Sequence, residues 1–485
     1  MRQIIILLTA LIVSGIIPAC SSHSTGKGLV DQHIKMPATQ EQKPTDVKPA
    51  EQTVPKKTPN KVIEPVNTNS DAEESLKDAD KAIALNPNYS DAWGNKGAAL
   101  AVLGRYEEAI KALDKAIELN PKLAIAYFNR GETKRLKGDL DGAIADFTKT
   151  IGLNPNYILA YINRGIAYKD KGNLNQAIAD YTKAIEIDPK NIMAYNNRGV
   201  AYKDKGDFDQ AIADYNKAIE LDPKYAEAYY NLGHEYYDRN NLVQAIANYT
   251  KAIGIDPKLV QAYFNRGIAY KDKDALDMAI DDYTKAIELN PNDSGAYYNR
   301  GIAYQCKSDF DRAIADYTKA IELNPDDTKA YVNRGIAYDD KGALDQAIAD
   351  YNKAIELNPK DAGAYYNRGI AYDNKGNLDL AIADFAKAIE LNPNDTEAYV
   401  NRGVAYQKKG SLDQAIADYN KAIELNPKYA MAYNNRGGAY CDKGDFDQAL
   451  ADYNKAIELD PKYAGAYHNR ANAYKDKGEL DQAIA

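Results

Sequence analysis

The chain is poor in the residues that do chemistry: three cysteines, four histidines and one tryptophan among 485 residues, with seven phenylalanines against 39 tyrosines. Each shortage excludes something. His23 and His33 lie in a polar stretch, and His234 and His468 are far apart, so no histidine pair and no Cys/His couple falls at the spacing of a nucleophile and its base. Positive charge is also short. Formal net charge is −9; Arg2 adds one positive charge and residues 21–70 carry seven lysines against five acids, which leaves −12 on the rest. No basic stripe remains to hold nucleic acid. Asp204-Lys205-Gly206-Asp207-Phe208-Asp209 lacks the alternating acids and terminal glutamate of a calcium loop, and reads as a turn and helix cap. The expectation is a non-enzyme with no cofactor, no metal and no small-molecule substrate.

What is present is repetition. Beyond residue 66, prolines stand at 87, 121, 155, 189, 223, 257, 291, 325, 359, 393, 427 and 461, always 34 residues apart. A fixed period of this length means a solenoid of stacked supersecondary units. With proline at position 32, eleven complete repeats run from 90 to 463, a half repeat at 71–89 precedes them, and an incomplete twelfth covers 464–485. The repeats carry mostly apolar or small residues at positions 3, 4, 8, 10 and 11 and again at 17, 20, 21, 24, 27 and 28, the faces of two helices, A and B. Position 15 between them is Gly in nine repeats and Asn240, Asp274 and Ser308 in the others, which predicts left-handed backbone there.

Position 4 is Trp93 and then Tyr, position 8 is Gly97 through Gly437, position 11 is mostly Tyr, and position 20 is always Ala, Ala109 through Ala483. In this register the chain resembles the tetratricopeptide repeat (TPR) family over about residues 71–485. The resemblance implies an all-α fold, a right-handed α-solenoid superhelix whose A helices line a concave groove that binds a protein or peptide. Position 7, Leu in the family, is Arg in ten of the twelve repeats here. Asp occupies position 23 in nine repeats, all of them with Arg at 7, from Arg130 with Asp146 to Arg436 with Asp452. This predicts a bidentate pair joining helix A to helix B or to the next repeat, in place of an apolar contact.

Position 6 is Asn in every repeat, an unfavourable choice inside a helix. Two readings stand. Asn231, Asn265, Asn299, Asn333, Asn367 and Asn401 form a file of amides that grips a partner's backbone, or each makes a structural bond to an adjacent helix. At position 5, Tyr230, Phe264, Tyr298 and Tyr366 are either anchoring aromatics for the partner or packing residues. The Lys, Asn and Arg set with which some TPR modules clamp a terminal carboxylate is absent, since position 9 is Ile or Val in most repeats. Cys306 and Cys441 sit four repeats apart, tens of ångströms by helix packing distances, too far for a disulfide.

Met1 to Ala19 has one early charge and an Ile/Leu-rich stretch too short for a comfortable membrane span, and reads as an export signal. Ile17-Pro18-Ala19-Cys20 resembles the lipobox of bacterial lipoproteins, with Pro18 as a departure; it implies lipidation at Cys20, against ordinary cleavage or a retained anchor. Ser21 then implies the outer membrane of a two-membrane envelope, facing the periplasm. Residues 20–70 are rich in Lys, Pro, Thr and Gln and are expected to be a disordered tether. Ser70-Asp71-Ala72-Glu73 has the form of a capping box ahead of the half repeat. The last residues stop within a helical pattern, which is expected of a truncated frame. The expected function is a protein-binding scaffold of the bacterial cell envelope. The alternatives are the recruiting arm of an enzyme whose catalytic domain lies beyond residue 485, or a cell-wall-binding protein.

Overall fold

The computed structural model describes residues 69–479. The signal segment, Cys20, the tether up to 68 and residues 480–485 lie outside the described residues. The described chain is all-α, with 24 helices and no strand. It falls into two bodies, 69–273 and 274–479, each a stack of antiparallel helix pairs.

Repeat 8 shows how the sequence builds a pair. Asp327 accepts from the backbone N–H of Ala330 (3.2 Å) and caps helix A, Thr328–Asp340. Gly342 then turns the chain at φ +77, and helix B runs Leu344–Leu357. All nine position-15 glycines have positive φ, and so do Asn240, Asp274 and Ser308. Helix B ends at Asn358, held extended by the proline that follows it, and its side chain accepts from the N–H of Lys360 at 3.2 Å. That bond is the reason Asn or Asp precedes each proline: it satisfies a turn donor as well as ending the helix.

The core between A and B is a close approach. Tyr351 at position 24 is fully buried against Gly335 at position 8, where an added Cβ would lie 2.6 Å from the tyrosine ring. Gly165 with Tyr181 and Gly403 with Tyr419 repeat the arrangement. On the outer edge, Lys443 reaches Asp413 of the preceding repeat at 2.5 Å, and Lys341 reaches Asp311 in the same way. These exposed pairs add little stability singly. The first helix, Asn69–Leu85, includes Ser70 within it, so Ser70 is not the capping residue its sequence pattern suggests.

Candidate partner-binding face

Helix A carries the candidate residues, and position 7 fixes how it sits. In at least eight repeats the Arg guanidinium is bidentate to Asp at position 23 of its own helix B. Arg334, for instance, donates from Nε to Asp350 Oδ2 at 2.8 Å and from Nη2 to Oδ1 at 2.7 Å. The third corner is used as well: Arg334 Nη1 donates to Thr318 Oγ1 at position 25 of the preceding repeat (3.0 Å). The expected pair therefore joins helix A to its own helix B, and the same guanidinium, through its third corner, links it to the repeat before rather than to the next. The guanidinium also stacks on the tyrosine three residues earlier, 5.6 Å from the Tyr331 ring centroid. Hydrogen bonding to the carboxylate raises the Arg pKa, as for Arg164 beside Asp180, so the cation persists at any ordinary pH.

The amides at position 6 and the side chains at position 5 meet each other. Asn265 Nδ2 donates to Tyr230 Oη (3.0 Å), Asn333 to Tyr298 Oη (2.9 Å) and Asn401 to Tyr366 Oη (2.7 Å). Asn231 donates to Asn196 Oδ1 at 2.9 Å by the same geometry. Asn299 turns to its own helix, donating to the Gly295 carbonyl at 2.9 Å, and Asn367 is buried. The rings of Tyr230, Tyr298 and Tyr366 pack at 5.9 Å on Tyr249, Tyr317 and Phe385, the position-24 residues of their own repeats. Phe264 is half-buried on helix Val260–Asp272. Burial raises the Tyr230 hydroxyl pKa to about 12, so it stays protonated.

Side chains at positions 2, 6, 9, 12 and 13 also converge. Within the first body Arg135, Ile166, Lys169, Asp170, Asn197, Val200 and Glu227 surround a depression of about 220 Å³. They come from the A helices of four successive repeats. Arg135 is held by Glu132, which accepts from Nη2 at 2.6 Å, and Asn163 donates to that carboxylate at 3.3 Å. Lys169 lies 3.6 Å from Asp170. The walls thus carry both signs of charge over an apolar floor of Ile166 and Val200. Asn197 belongs to the position-6 amides singled out from the sequence; position 12, which supplies Arg135 and Lys169, was not singled out, yet a signal was there. Position 12 runs through Ala, Arg, Lys, Tyr, Gln, Asp and Cys while its neighbours at 10 and 11 hardly change.

Among the described residues no helix is long and apolar enough to cross a membrane, and no group of three His, Cys, Asp or Glu side chains is placed to hold a metal. Stacked helix pairs with one variable face define an all-α helical-repeat protein. Family profiles narrow this. One described as TPR repeat matches residues 167–206, 201–234, 233–274, 338–376 and 437–478. Two described as tetratricopeptide repeat match 90–123, 260–293, 294–327, 362–395 and 396–429, and 112–145, 316–349 and 418–451. The chain belongs to the tetratricopeptide repeat family, whose members are generally non-catalytic scaffolds that bind protein or peptide partners.

An uncharacterized protein of Methanocaldococcus jannaschii is 55% identical over 42 residues, 9% of this chain and 49% of that protein. The chain thus spans about half the length of the curated relative it matches. Among solved structures, YrrB, described as a TPR protein with an unusual peptide-binding site, is 32% identical. The likeness covers 38% of this chain and 96% of that one with a TM-score of 0.34. MamA is 33% identical over 35% of this chain and 93% of its own, TM-score 0.33. A tetratricopeptide repeat protein from Parabacteroides merdae is 22% identical over 54% of this chain and 99% of its own, TM-score 0.42.

Proposed function

We propose that this protein is an exported scaffold, lipid-anchored at Cys20 to the outer membrane of a bacterial envelope, that holds a segment of a partner protein along the variable face of its A helices. The observation that carries the binding reading is the depression bounded by Arg135, Lys169, Asp170, Asn197 and Glu227. Polar groups from four repeats converge there on a preordered surface, so a partner segment binds without the cost of ordering the receptor. Other position-6 amides contribute indirectly: the Nδ2 donors of Asn231, Asn265, Asn333 and Asn401 hold successive A helices in register. Envelope location follows from the segment around Ile17-Pro18-Ala19-Cys20.

The test is crosslinking capture from an envelope fraction with residues 21–485, beside a charge-reversed variant, Lys169→Glu with Glu227→Lys, and a control reversal of the exposed pair Lys353 and Glu356 on helix B. Loss of the captured proteins with the first variant alone is the expected result. Equal capture by all three sinks the assignment of this face.

A further inference from the structure

Position 10 is Ala in ten repeats, each fully or almost fully buried where helix A packs against its neighbours. Thr133 is one exception, and its hydroxyl donates to the Asn129 carbonyl at 2.7 Å. Glu235 in repeat 5 is the other. Its side chain is 0% exposed, and neither carboxylate oxygen has a hydrogen-bond partner. An unpartnered carboxylate in a site built for a methyl group is among the most costly substitutions an interior can carry.

The same repeat lacks the guanidinium link. Position 7 is Leu232 and position 23 is Asn248, which donates to the Gln244 carbonyl on its own helix at 2.9 Å. In this body the other junctions are bridged from position 7 to position 25 of the preceding repeat. The bridges are Lys96 to Asp80, Arg130 to Asp114, Arg164 to Thr148, Arg198 to Thr182 and Arg266 to Thr250. Between repeats 4 and 5, Leu232 instead shares an apolar cluster with Ala211 and Tyr215. Asn231 to Asn196 and Arg239 to Asp209 remain as polar links at the margins.

We infer that the junction between helices Phe208–Leu221 and Ala226–Asp238 is an opening point of the array, closed while Glu235 carries a proton and opened when the carboxylate forms and moves to water. The groups that face Glu235 support this. From helix Ile192–Lys205 comes the cation Lys203; from Phe208–Leu221 comes Tyr215, whose buried hydroxyl has no partner. Its own helix supplies His234 and Asp238, 3.0 Å apart, with Arg239 following. Two further groups couple to this helix rather than to Glu235 itself: Tyr249 of Leu242–Ile255 through Asp238, and Asp272 of Val260–Asp272, which accepts from Tyr237. None of these bonds the carboxylate, and burial raises its pKa.

The sign follows. The closed form binds its proton more tightly than the open one, so closure is favoured in acid. Opening grows by up to about tenfold per pH unit above the ordinary glutamate range and levels off past the raised value. Helix Ala226–Asp238 also carries Glu227, a wall of the depression, so opening parts Glu227 from Arg135 and Lys169. That consequence rests on the binding reading above; the opening does not.

Hydrogen exchange on the whole protein, without any ligand, tests it. Exchange of Ala226–Asp238 is normalised to helix Ile158–Asp170 in the same molecules, at mildly acidic and at neutral pH. The expected result is faster exchange in Ala226–Asp238, with the ratio growing toward neutral pH by up to about tenfold per unit. Glu235→Gln should remove the pH dependence and Glu235→Ala should bring the ratio near one. Leu232→Arg with Asn248→Asp should lower it at both pH values. Equal exchange in the two helices, a ratio indifferent to pH, or a pH dependence that survives in Glu235→Gln overturns the inference.

Discussion

Asn333 donates from its amide to the Tyr298 hydroxyl at 2.9 Å, from the sixth position of one repeat to the fifth of the repeat before. The chain contains its own control. In the repeat before Asn163 the fifth residue is Phe128, which offers no oxygen, and Asn163 donates to Glu132 of that repeat instead. Where the fifth residue is an acceptor, as Asn196, Tyr230 or Asn434, the following asparagine uses it.

This bond should be measurable as a coupling. Tyr298→Phe removes the acceptor and Asn333→Ala the donor, and a double-mutant cycle by urea unfolding should give a coupling of about 1 kcal/mol. Additive effects would mean that the contact contributes nothing.

The Arg and Asp pairs should respond unequally to loss of one partner or of both. In Arg334→Leu the carboxylate of Asp350, nearly buried, is left with its charge uncompensated, at a cost of about 3–5 kcal/mol. Arg334→Leu with Asp350→Asn, the combination found in repeat 5, should cost clearly less than the single change. Chemical denaturation of the two variants decides it, and a double variant as unstable as the single one contradicts the reading.

Backbone conformation gives a prediction of gain. Ser308 holds φ +58 where most repeats use Gly. Ser308→Gly should stabilise by about 1 kcal/mol, and Gly342→Ser, at φ +77, should destabilise by a similar amount. Gly335→Ala, whose new methyl would meet the Tyr351 ring at 2.6 Å, should cost about 1–3 kcal/mol through overpacking. Melting temperatures order the three.

Cys20→Ser should abolish incorporation of a fatty-acid label in a bacterial host and release the protein from the membrane pellet. Label that persists in the variant would place the lipid elsewhere or remove the lipoprotein reading.

Much of this was legible in the sequence because the repeat multiplies every signal. Proline spacing marked the repeats, and the position-15 residues mark left-handed turns, including the non-glycine cases Asn240, Asp274 and Ser308. Co-occurrence of Arg with Asp was enough to expect their pairing, since both lie in one repeat. Pairing of position 6 with position 5 was not legible. It depends on the rotation between successive helix pairs, which brings Asn401 against Tyr366 and is set by packing rather than by any period within the repeat. Glu235 was hidden for a different reason: one glutamate on a helix looks like a solvated charge until the burial of its ten alanine counterparts is seen.

The three-cornered arginine has a consequence for how such a gene can lengthen. A repeat such as 328–361 carries its own Arg334 and Asp350 and, at Asn352, the acceptor that Arg368 of the next repeat uses. A copy inserted in frame therefore arrives with both halves of every link and strands no charge, whatever the number of copies. Repeat 5 is not interchangeable in this way. Placed after another repeat, it would leave that neighbour's acceptor unanswered and bring a buried carboxylate with it, so it marks a fixed address in an otherwise extensible array.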